Sequence, residues 1–309
     1  MLALSSPLQW GLFLAFIGVM LALDLGVFHK KAHVPSFREA LGWTAVWATL
    51  AVCFGGWLGF SQGQQPMVEF YTGYVIELSL SMDNVFVFVL ILAGLKIPRE
   101  FQHRVLFWGV LTALVLRGAM ILGGAALVAK YHFVLYGFGA FLVWMGLKLL
   151  FGGGDDDADG QKSEGRLMQF LRRRLRVTDE LHGMKFFVVK DGKRVGTPLL
   201  LALIMVEISD VVFAVDSIPA IFAVTQDPFL VFTANVFAIL GLRSLFFVLA
   251  GMLDRFRYLK YGLAIVLTFV GCKLLLLDVV HVDALLSLGI VVGVLGTSAV
   301  VSLAKTHHS

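Results

Sequence analysis

The segment VIELSLSMDNVFVFVLIL, residues 75–92, sets Glu77 and Asp83 in a run that is otherwise almost wholly apolar. A second segment, EISDVVFAVDSIPA, residues 207–220, does the same with Glu207, Asp210 and Asp216. Asp24, Arg117, Lys148, Arg243 and Lys273 complete a set of ionisable groups lying within apolar stretches. A charge at mid-membrane costs about 2.5–3.5 kcal/mol, so such groups face a partner or a cavity. Buried ion pairs that fix helix packing would account for the four bases. They do not account for the acids, because six carboxylates face four bases. A surplus of hard oxygen ligands invites a cation.

Spacing refines this reading. Glu207 and Asp210 are three residues apart and share a helix face. Glu77 and Asp83, like Asp210 and Asp216, are six apart, which turns them about 120° from each other on a regular helix. Either each carboxylate meets a different neighbour or the helix is broken between them; the serines of SLSMDN and Pro219 favour a break. Asn84, Ser79, Ser209 and Ser217 are candidate neutral oxygens, and Met82 is a soft donor whose plainer role is packing.

The elements that must hold these groups are membrane helices. Of 309 residues, 59% are hydrophobic and 15% charged, with a mean hydropathy of +0.87, outside the range of soluble domains. Apolar runs near the roughly 20 residues that span a bilayer occur at 8–28, 41–60, 67–94, 105–129, 132–151, 197–224, 229–251, 258–277 and 284–304. The expected fold is all-α, a polytopic membrane protein of about nine transmembrane helices. With the amino terminus outside and the carboxyl terminus inside, the inner segments collect Lys30, Lys31, Arg38, Lys96, Arg99, Arg104, the basic residues of 162–194, Arg255, Arg257, Lys260 and Lys305, and the outer segments only Lys130. The net charge of +4 therefore reports topology and gives no reason to expect nucleic acid. On this topology Glu77 and Glu207 lie roughly 15 Å from opposite surfaces, and the acids form a ladder across the bilayer.

An internal repeat organises the chain. DNVFVFV from Asp83 matches DVVFAVD from Asp210, LVLRG at Arg117 matches LGLRS at Arg243, and YGFGAFLVWMGLKLL matches YGLAIVLTFVGCKLL. Each unit holds three helices, an odd number, so the second unit must be inverted, as in many secondary transporters. The expected division is two amino-terminal helices in 1–66, a first repeat in 67–151, a cytoplasmic loop in 152–196, a second, inverted repeat in 197–278 and a last helix in 279–309.

In the loop, GGGDDDADGQKSEG reads as a solvated acidic linker, since it lacks the distal Glu of a calcium loop. RLMQFLRRRLRV reads as a basic amphipathic segment on the inner membrane face, and FFVVKDGKRVG as a hairpin about Asp191 and Gly192. Cys53 and Cys272 read as small buried hydrophobes. His29 and His33 have a metal-ligand spacing, but beside Lys30 and Lys31 they suit lipid headgroups better.

Taken together, ELSLSMDN, EISDVVFAVDSIPAIFAVT, LGLRSLFFVL and YLKYGLAIVLTFVGCKLL, with LALDLGVFHKKAHVPSFREAL nearer the start, resemble the TerC integral membrane family and its Alx-like branch. The resemblance implies a bacterial inner-membrane protein of the wider LysE-related superfamily, linked to manganese export. The family's acidic motif carries over to Glu77, Asp83, Asn84, Glu207, Asp210 and Asp216, and its first-helix acid to Asp24. Tellurite resistance named the family, but an oxyanion pump fits an acidic interior poorly. The expected function is thus a secondary transporter, not an enzyme, that exports a divalent metal, Mn²⁺ first, in exchange for protons on one reading. Mn²⁺ is then substrate, lipid and the metal ion are the partners, and no organic cofactor is expected. Arg117 and Arg243 would neutralise the emptied site as salt-bridge partners of Asp83 and Asp210. The absence of GxxxxGK[ST] excludes ATP as the direct drive. Two alternatives stand beside it: a membrane assembly factor for metalloenzyme or secretion components, with protein partners at the cytoplasmic loop, and a Ca²⁺ or general divalent cation transporter.

Overall fold

Each expected apolar run is helical in the computed structural model. The structure describes residues 6–26, 36–131, 133–151, 168, 170–175, 177–178, 180–190, 193–249, 259–276, 279 and 282–306. The calls on the histidine pair, Asp191 and Gly192, and the acidic linker fall outside these residues. Nine long helices occur among the described residues: α1 (Pro7–Gly26), α2 (Phe37–Gln62), α3 (Gln64–Gly94), α4 (Arg99–Lys130), α5 (Val134–Phe151), α6 (Pro198–Phe222), α7 (Pro228–Leu249), α8 (Leu259–Leu275) and α9 (Ala284–Thr306). By length and composition α2, α4, α6, α7 and α9 can cross a membrane, and α1, α5 and α8 contain shorter apolar helices. The protein is a polytopic, essentially all-α membrane protein.

The helix ends follow local chemistry. Ser36 and Glu39 form a capping box at the start of α2. Asp227 accepts from the Phe229 amide, and Asp283 from the Leu285 amide, at 2.8 Å each, satisfying first-turn donors of α7 and α9. Gly63 alone joins α2 to α3 with φ of 101°, a conformation that disfavours a side chain.

The helices pack around α7. Residues Phe229 to Leu242 are buried almost without interruption. An aromatic cluster of Trp10, Phe13, Phe54, Phe70, Phe229 and Phe237 knits α1, α2 and α3 to α7. Outward-facing Leu8, Phe60, Val115, Trp144 and Val300 leave an apolar surface suited to lipid.

The basic segment of the loop departs from the sequence reading. Met168 and Leu171, with Val177, Leu181 and Phe186, pack on the apolar cluster formed by Phe88, Leu92, Leu106, Leu199 and Phe246. The segment thus covers its own helix ends, because apolar side chains there find a closer apolar surface than the bilayer. The hairpin forms as expected, with β1 (Phe187–Lys190) antiparallel to β2 (Lys193–Gly196) in a Val188–Val195 register. Arg104, near the start of α4, stacks over Phe186 with 5.1 Å to the ring centre.

Between α5 and α8 the backbones nearly touch. A methyl group on Gly146 would fall 2.7 Å from the Ala264 carbonyl oxygen and 2.8 Å from the Thr268 nitrogen. One on Gly271 would fall 2.8 Å from both the Gly139 oxygen and the Val143 nitrogen. Aligning 136–150 with 261–275 exchanges Gly146 with Gly271, Gly139 with Ala264 and Val143 with Thr268. The two contacts are therefore images of one another, and the pair is antiparallel.

Candidate ion site

Arg117, on α4, is 1% exposed and lies among four helices. Its Nε donates to Asp210 Oδ2 at 2.9 Å and its Nη2 to Asp210 Oδ1 at 2.7 Å, a bidentate pair with α6. Its Nη1 donates to Glu77 Oε1 on α3. The same Glu77 oxygen receives Asn235 Nδ2 from α7 at 2.9 Å and the Ser217 hydroxyl from α6 at 3.5 Å. Glu77, Arg117 and Asp210 thus form one buried charge cluster. A lone charge in so dry a place would cost several kcal/mol, and the guanidinium satisfies two carboxylates together.

The cluster is short of donors. Glu77 Oε2 is sealed from solvent with no hydrogen-bond partner, as are both oxygens of Glu207, one turn before Asp210. Glu207 and Asp210 line a closed cavity of about 20 Å³ with Gly109, Ala113 and Arg243. On α3, Ser81 and Asn84 are 1% and 2% exposed, on the helix face of Glu77, and the Ser81 hydroxyl has no partner.

Of the two alternatives left by the spacing, the unbroken helix is the one observed. α3 is helical through SLSMDN and α6 through Asp216 and Pro219. Ser79 donates to the Val75 carbonyl and Ser209 to the Met205 carbonyl, so these hydroxyls stay within their own helices. Pro219 lies in the last turns of α6, which stays helical although the proline has no N–H to give to the carbonyl one turn back.

Other expectations shift too. Arg117 pairs with Asp210, 93 positions away, as well as with Glu77, 40 positions away, so Asp210 meets Arg117 among the described side chains. Asp83, Asp216 and Asp24 lie on α3, α6 and α1, with side chains outside the described residues. Lys148 is exposed in the last turn of α5, with Nζ 5.8 Å from the Trp144 ring centre. Lys273, in the last turn of α8, donates to Ser287 Oγ at 3.0 Å. Long amphipathic side chains at helix ends place their charge at the interface, so neither lysine is a mid-membrane cation. Cys53 and Cys272 are exposed free thiols, since a small apolar residue can face lipid as readily as a core.

Asn235 and Ser81 escaped the sequence reading. Asn235 had a signal, an amide in the apolar run FTANVFAILGL, where an unpaired polar group is costly. Among the described residues no group of three His, Cys, Asp or Glu is arranged to hold a metal ion. Arg117 occupies the space between Glu77 and Asp210 instead.

Apolar helices enclosing a charged cluster define the class, a multi-pass membrane protein with an ionised core. The chain belongs to the integral membrane protein TerC family, whose model matches residues 62–309. It is 52% identical over 307 residues to an uncharacterized membrane protein of Myxococcus xanthus, covering 99% of this chain and 95% of that one. It is 44% identical over 313 residues to the putative membrane-bound redox modulator Alx of Salmonella typhi, covering 98% and 96%. The protein of that name in Escherichia coli K12 is 45% identical over 300 residues, covering 94% and 92%. No solved structure matches. The protein is a multi-pass protein of the bacterial inner membrane.

Proposed function

We propose that the protein is a secondary transporter that exports a divalent cation, Mn²⁺ by preference, through carboxylates gathered from both repeat units. The observation that carries this reading is Arg117, an internal cation paired to Glu77 and Asp210 while Glu77 Oε2 and both Glu207 oxygens have no partner. A site that binds a cation in one state and an arginine in the other keeps Glu77 and Asp210 compensated in both. Glu77, Asp83, Asn84, Glu207, Asp210 and Asp216 are the residues assigned to the ion, with Asp24 and Arg243 in support. A carboxylate released by the metal can take a proton, which suits exchange.

Nine crossings, with the amino terminus outside and the repeats inverted, complete the proposal. The reciprocal Gly146 and Gly271 contacts support a two-fold relation between the units, about which rocking would give alternating access. The relatives' name, redox modulator, reads here as a consequence of metal handling. The two cysteines are on different helices and neither forms a disulfide, which gives little support to thiol chemistry.

Purified protein in liposomes tests the proposal with Mn²⁺, Ca²⁺ and Mg²⁺ offered separately. Mn²⁺ should move fastest. Equal movement of all three would remove the preference, and movement of none would remove the transport reading.

A further inference from the structure

We infer that the cytoplasmic access route to the carboxylate site runs between α4 and α7, and that Arg243 is the barrier that closes it. The inference rests on the transport reading for its direction, but on cavities and helix register for its position.

Two small cavities of about 20 Å³ each lie one above the other, and Arg243 lines both. The deeper one holds Glu207, Asp210 and Ala113. The shallower one holds Glu39 and Ala40 from the first turn of α2, His103 from the start of α4, and Phe247 from the end of α7. This is the end of the molecule that carries the hairpin, since Arg104 stacks on Phe186 there.

The helix faces connect the cavities to the charge cluster. On α4, His103, Leu106, Val110, Ala113 and Arg117 recur at intervals of three and four and make one continuous stripe. On α7, Phe247, Arg243, Ile239 and Asn235 recur at intervals of four and run the opposite way. At 1.5 Å per residue, the stripe from His103 to Arg117 is about 21 Å long, and that from Phe247 to Asn235 about 18 Å. Both stripes end at Glu77, on Arg117 and Asn235 respectively. A guanidinium shared by the two cavities fills the gap between them and leaves a continuous path once it moves. Toward the opposite end of the molecule lies a larger cavity of about 570 Å³, lined by Gln65, Glu69, Lys273 and Asp283 among the described residues.

The test is thiol accessibility, which needs no transported metal. In protein carrying Cys53→Ser and Cys272→Ser, Ala113→Cys reports on the deeper cavity and Ala40→Cys on the shallower one. A membrane-impermeant maleimide is applied to inside-out and to right-side-out vesicles. With Arg243 present, Ala40→Cys should react from the cytoplasmic side at least tenfold faster than Ala113→Cys. Arg243→Ala should speed labelling of Ala113→Cys from that side at least tenfold and leave Ala40→Cys unchanged. If Arg243→Ala fails to accumulate, Arg243→Gln carries the same comparison. An unchanged rate at Ala113→Cys, or faster labelling only from the outer side, overturns the gate. Labelling is independent of ion flux, so this failure is distinguishable from failure of the transport reading.

Discussion

Arg117 has two carboxylate partners, so its removal and theirs have different consequences. Arg117→Met strands Glu77 and Asp210 in a dry interior and should destabilise the protein by about 3–5 kcal/mol. Adding Glu77→Gln and Asp210→Asn to Arg117→Met removes the stranded charges and should recover most of that loss, read as thermal unfolding in detergent. If the triple variant is no more stable than the single one, the cluster is not held by charge. Asn235→Leu removes one donor to Glu77 and should cost about 1–3 kcal/mol in the same assay. The acids were legible in the sequence because each breaks an apolar run. Their partners were not, because Arg117 crosses to Asp210 over 93 positions of chain and nothing local marks that choice.

Helices were legible in their place along the chain, with ends off by up to six residues at α4, since apolar runs bounded by Pro, Gly and charge leave little freedom in lipid. The register between them was not, because interfaces here are set by where backbones can touch. Gly146 and Gly271 are such places, each closed by the other helix's backbone. Gly146→Val and Gly271→Val should each destabilise by about 1–3 kcal/mol, and by similar amounts, as overpacked contacts related by one symmetry. Gly123→Val, with open space around it, is the control and should be near neutral. Markedly unequal losses at Gly146 and Gly271 would count against the two-fold relation. Whether α3 unwinds was left open by the sequence, and it stays helical for a reason at this scale: Ser79 turns its hydroxyl back onto its own helix, leaving the ladder intact.

At the scale of the whole molecule, two cavities of about 20 Å³ lie on the hairpin side and a larger one of about 570 Å³ lies opposite, among the described residues. Nine crossings, as proposed, would put the termini on opposite sides, so a fluorescent protein that folds only in the cytoplasm should glow when fused to the carboxyl terminus and stay dark at the amino terminus. Fluorescence from both fusions would change the number of crossings. The proposed orientation is read from charge bias, whereas a gate at Arg243 is a matter of packing and has no sequence mark. The central claim is that carboxylates from both units carry the ion. Initial Mn²⁺ flux into liposomes, compared at equal protein for the wild type, Asp210→Asn and Asp83→Asn, tests it most directly. Each substitution should lower the flux at least tenfold in protein that is still folded. Flux at the wild-type rate in either variant would contradict the claim for that residue, and in both would remove the site.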